Sequence, residues 1–216
     1  MSESKFKFPT EVIDLPSKGL LYPKENPLSS GKVEMKYMTA REEDILTNQN
    51  YIKNGTVIDE LLKSLIITKI NYNDLVVGDK NAIMLAARVL GYGKEYTFNY
   101  GGEDHTIDLT SLEPNEFNTD TITPGINEFH YTLPHSKTEI SYKILTHGDD
   151  AKIESEIKGL KRLNKKASPE LSTRVKHMII AVDNNTDTKT IREFVDNYLL
   201  AMDARSLREH IRNTQP

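Results

Sequence analysis

Six histidines, at positions 105, 130, 135, 147, 177 and 210, are the side chains of this 216-residue sequence best suited to proton transfer or metal ligation near neutral pH. They stand singly, with no pair at i, i+4 and no carboxylate at ligand spacing. His130 and His135 are neighbours in sequence, and a hydrolytic site built on them would need both rings and a nearby acid to converge in one pocket. A turn beginning at Pro134 lets them face different ways. The absence of cysteine removes thiol nucleophiles, thiolate zinc sites and disulfides together. No serine sits in a G-x-S-x-G elbow, and the glycines at 91, 93, 101 and 102 have neither phosphate-loop nor dinucleotide spacing. The acidic pairs Glu42-Glu43 and Asp149-Asp150 diverge on a helix and read as helix-start charges. No catalytic residue, metal ligand or cofactor site is nominated, and the chain is read as non-enzymatic.

Charge offers a different chemistry, that of docking. The chain carries 28 Lys/Arg and 32 Asp/Glu, but residues 1–150 have a net charge of -8 and residues 151–216 a net charge of +4. From Glu103 to Glu128 there are seven acids and no Lys or Arg. Lys158, Lys161, Arg162, Lys165 and Lys166 form the basic extreme. A solvated helix end explains that cluster, which lacks interleaved aromatics; the alternative is a nucleic-acid-binding helix over 158–166. Halves of opposite sign fit contact with each other or with two different partner surfaces.

The elements that must carry these groups follow from periodicity. Hydrophobic residues make up 37% of the chain and recur at regular spacing, so a buried core is expected. No signal-like apolar region and no run near the ~18 residues of a membrane span is present, which fits a soluble, unexported protein of a reducing compartment. The fold expected is α+β: an N-terminal extended region, three helices, two β-hairpins and a C-terminal helical group, with a division into 1–148 and 149–216 unless the two form one continuous domain. Pro16, Gly19, Pro23, Pro27 and Gly31 punctuate the extended region, and Val33, Met35 and Tyr37 alternate as a strand. Thr39 and Glu42 predict a capping box opening a helix that runs to about Lys53; Thr56 caps a second, and Gly78-Asp79 opens a third that stops at Gly91. Period-two patterns predict hairpins over 94–112 and 129–145. Helices follow from about Asp149, from Ser168-Pro169 with an apolar stripe Leu171, Val175, Met178, Ile179 and Val182, and over the broad face from Ile191 to Met202.

Three blocks, VIDLPSKGLLYP at 12–23, GKVEMKYMTAREEDILTN at 31–48 and IKNGTVIDELLKSLI at 52–66, together with the ending LLAMDARSLREHIRNTQP, resemble the baseplate hub protein family of T-even-type contractile-tailed bacteriophages. The pieces YGKEYTFNY and LPHSKTEISYKILTHGDD support the resemblance, which brackets the whole length. It implies a tail protein that binds other proteins to build the central baseplate hub, as a subunit or as an assembly factor or chaperone for hub, tape-measure and tail-tube proteins. It would act in the host cytoplasm during tail assembly or in the virion baseplate, and particle symmetry is compatible with a homo-oligomer. Neither membrane nor nucleic acid is the expected partner. Leu15, Pro16, Gly19, Leu20, Leu21 and Tyr22 of the first block, and Arg205, Leu207 and Arg208 of the last, are the candidate contacts. One departure is plain: many members of that family carry a CPxC-like pair after the YG-x-x-Y strand, where this chain reads YGGEDHT at 100–106. Its hairpin must be held by pairing and packing alone.

Overall fold

The computed structural model describes residues 9–114, 122–163 and 169–216. Among these the chain is α+β, as expected, with eight α-helices and seven strands in three small antiparallel sheets. Strand β1 (Thr10–Asp14) pairs with β2 (Lys32–Lys36), Ile13 opposite Val33. The loop between them folds back on itself: Leu15 N–H donates to the Gly31 carbonyl at 2.8 Å. Gly19 has φ +78°, and a Cβ there would lie 2.4 Å from the Ser29 carbonyl oxygen. That approach requires glycine on both conformational and steric grounds.

The single helix expected to reach Lys53 is two, α1 (Ala40–Leu46) and α2 (Gln49–Asn54). Asn48 causes the break, because its side chain accepts the Asn50 and Tyr51 N–H groups and so caps a new helix instead of continuing the old one. α3 (Val57–Leu65) buries Leu61, Leu62 and Leu65, and α4 (Val77–Tyr92) buries Ile83 and Ala87. Gly91 does not stop α4: it lies inside the helix, where a Cβ would meet the Met38 side chain at 2.9 Å, and Gly93 supplies the terminus.

Both expected hairpins form, β3 (Glu95–Tyr100) with β4 (Glu103–Asp108), and β5 (Phe129–Thr132) with β6 (Glu139–Tyr142). The C-terminal third holds α5 (His147–Leu163), α6 (Glu170–Met178), α7 (Thr188–Asn197) and α8 (Ala201–Thr214). It also holds a strand that helical spacing concealed: Ile179 and Val182 belong not to a helix stripe but to β7 (Ile179–Val182), paired with β6. The broad face from Ile191 to Met202 is likewise split between α7 and α8, with Tyr198 and Met202 at the surface. The sheet β5-β6-β7 crosses the division expected at residue 149, and buried residues from both sides, Ile83 and Tyr142 with Ile153 and Leu207 among them, join one hydrophobic cluster. The Ser168 cap and the bases Lys165 and Lys166 lie outside the described residues.

Candidate functional site

The first block is built around a buried carboxylate. Asp79, in the first turn of α4, accepts Ser17 N–H at 2.9 Å, the Ser17 hydroxyl at 2.6 Å and the Tyr22 phenol at 2.6 Å, while Tyr22 Oη accepts Val76 N–H at 3.1 Å. Burial and the adjacent Asp79 carboxylate push the Tyr22 phenol far up, so it stays a donor. This network corrects the contact assignment for most of the block: Leu15, Leu21 and Tyr22 are each 3% exposed and belong to the core, and Gly19 is a packing glycine. Pro16 and Leu20 are half-buried. With Lys18, Pro16 borders a cleft of about 740 Å³ that is also lined by Ala82 and Leu85 of α4 and by Leu112 and Pro114.

The last block divides in the same way. Leu207 is fully buried, so it packs the core and cannot meet a partner. Asp203, also buried, accepts the backbone N–H groups of His135 and Ser136, both at 2.9 Å, and so ties α8 to the β5–β6 turn. Arg205 and Arg208 are exposed and, with Glu209 and Arg212, border a shallow hollow of about 320 Å³.

The histidine hypothesis fails on its own geometric criterion. His130 shares a 2.9 Å hydrogen bond with Ser141 on the sheet, whereas His135 sits on the turn held by Asp203, and both are exposed without converging. Among the described residues no group of three or more His, Asp or Glu could hold a metal ion. In the basic helix, Lys158 pairs with Glu154 at 3.7 Å and Lys161 with Glu170 at 2.8 Å, which reduces the charge available to phosphate.

Spacing along the chain concealed one further constellation. Asp59 of α3 holds Lys80 of α4 at 2.6 Å and accepts the Tyr72 phenol at 2.9 Å; Lys80 Nζ lies 3.1 Å from His147 Nδ1, and the His147 ring meets Tyr72 edge-on at 4.7 Å. Burial, then the Lys80 charge, lowers the His147 pKa, which leaves Nδ1 free to accept from the ammonium. The four residues span 59–147 in sequence, so no local motif announces them; they staple α3, α4 and the start of α5.

The β3–β4 ribbon supplies the widest set of exposed aromatics. Tyr96, Phe98 and Tyr100 alternate onto one face, with Ile107 and His105 opposite the first two. The alternation was legible in sequence; the exposure of this face was not, because it is set by tertiary packing. Comparison with protein-family models, curated proteins and solved structures finds no match to this chain.

Proposed function

We propose that this protein is a non-enzymatic docking component of a contractile-tailed phage baseplate hub, binding hub and tape-measure proteins as a subunit or assembly factor. The observation that carries the docking reading is the large apolar side chains left in solvent in local sets, Tyr96, Phe98 and Tyr100 on the ribbon and Tyr198, Leu200 and Met202 at the α7–α8 corner. A packed monomer has no use for such sets, whereas a protein that completes its surface against others does. The hub setting rests on the resemblance of the N-terminal blocks and the ending. The cleft beside Pro16 and Lys18 is the part of the first block still open to a partner segment. A pull-down with the tagged chain against the phage's purified hub and tape-measure proteins tests the reading: retention of either supports it, and retention of neither contradicts it.

A further inference from the structure

Helix α8 keeps its charge and its core packing on opposite sides. With about 3.6 residues per turn, Arg205, Arg208 and Arg212 fall on one stripe, while Ala204, Leu207 and Ile211 fall on the buried side. All three arginines are exposed. Together with Glu209 they border the shallow hollow of about 320 Å³. Arg208 and Arg212 also border a second hollow, of about 270 Å³, with Arg174 of α6 and the apolar side chains of Val77, Ile144, Leu145, Met178 and Ile211. The two hollows therefore adjoin at Arg208 and Arg212.

Charge around them is one-sided, since four arginines and a single carboxylate, Glu209, border the pair. Glu209 lies 3.9 Å from Arg212, and Asp150 of α5 holds Arg174 at 3.0 Å. Arg208 donates its Nε–H to the Ala204 carbonyl of its own helix at 3.2 Å. Among the described residues no carboxylate lies within ion-pair distance of Arg205 or Arg208. An apolar hollow rimmed by such guanidiniums is complementary to an aliphatic side chain flanked by carboxylates, which arginine pairs in a two-pronged fork. A phosphate backbone would use the arginines and leave the apolar border uncovered. Met202, 61% exposed, precedes Arg205 by three residues and continues the apolar component along the stripe.

We propose that the arginine stripe of α8 and the hollow beside it bind a short acidic segment of a partner protein, with an aliphatic side chain against Met178 and Ile211 and the flanking carboxylates on Arg205, Arg208 and Arg212. Arg208 is the centre of this contact, because it borders both hollows and has no acid of its own among the described residues. The inference rests on the docking reading above and names the partner's chemistry; it does not depend on the phage setting.

Fluorescence anisotropy with a fluorescein-labelled peptide of Glu-Glu-Leu repeats tests it, with circular dichroism confirming the fold of each variant. The wild type binds this peptide, and raising salt from about 0.05 to about 0.5 M weakens binding. Arg205→Glu with Arg208→Glu, or Arg208→Ala should the pair fail to fold, raises the dissociation constant at least about tenfold. Arg208→Lys raises it by less, because the charge remains while the fork is lost. Replacing the leucines of the peptide by serine raises it at least about fivefold on the unaltered protein. Absence of binding at low salt, binding indifferent to the arginine variants, or equal affinity for the serine peptide overturns the proposal. An oligothymidylate that binds through the same arginines more tightly than the peptide assigns the stripe to nucleic acid and overturns it too. If the peptide fails while the wild type retains the hub protein in the pull-down, this contact falls and the docking reading stands; if neither is bound, both fall.

Discussion

Asp79 joins the first turn of α4 to a loop 62 residues earlier in the chain, where it accepts the Ser17 N–H, the Ser17 hydroxyl and the Tyr22 phenol. Asp79→Ala therefore leaves the Ser17 and Tyr22 donors unpaired in the core and is expected to cost about 3 kcal/mol or more in urea unfolding, against about 1–2 kcal/mol for Tyr22→Phe. Glu42 gives a pH signature. Burial acts upward on its carboxyl, but hydrogen bonds from Lys36, Thr39 and Ser64 prevail and hold it at about 2, below its ordinary 4.5. A folded-state value below the unfolded one means stability that is present above about pH 4.5 and lost as pH falls toward 2. The loss is on the order of 3 kcal/mol, and Glu42→Gln should flatten the pH dependence of the urea midpoint in that window. Glu156, held at about 2 chiefly by Arg192 and then by His177, adds a loss of the same sign. Both Asp79 and Glu42 were legible as helix-start acids. Their distant partners were not, because contacts across tens of residues leave no spacing to read.

Among the elements, the two hairpins and the starts of α3 and α4 were readable because alternation and capping are local. β7 was not, since Ile179 and Val182 continue the helical stripe of α6 and no turn residue separates helix from strand. The α1–α2 break shows a further limit: Asn48 reads as an ordinary helix residue until its side chain is seen to take two backbone N–H groups. In the loop between β1 and β2, Gly19→Ala forces a Cβ against the Ser29 carbonyl at a positive φ, and urea unfolding should show a loss of about 2 kcal/mol or more. Asp203→Ala frees the His135 and Ser136 amides, whose hydrogen exchange should quicken more than that of the β6–β7 ladder. The Arg205→Glu, Arg208→Glu pair should leave exchange at that turn unchanged, because both arginines face solvent.

On the scale of the whole molecule, a sheet and a core that run through residue 149 predict one cooperative thermal transition, coincident by circular dichroism and tyrosine fluorescence; two separated transitions would divide the chain there. The apolar side chains exposed on the β3–β4 ribbon and at the α7–α8 corner are the surfaces left for a partner to cover. What those surfaces meet in the cell is the central claim. Affinity purification of the tagged protein from infected cells, with mass spectrometry of its partners, tests it most directly. The account predicts recovery of baseplate hub and tape-measure proteins, reduced when the exposed ribbon aromatics are replaced by serine; recovery of nucleic acid or of host enzymes in their place would contradict it.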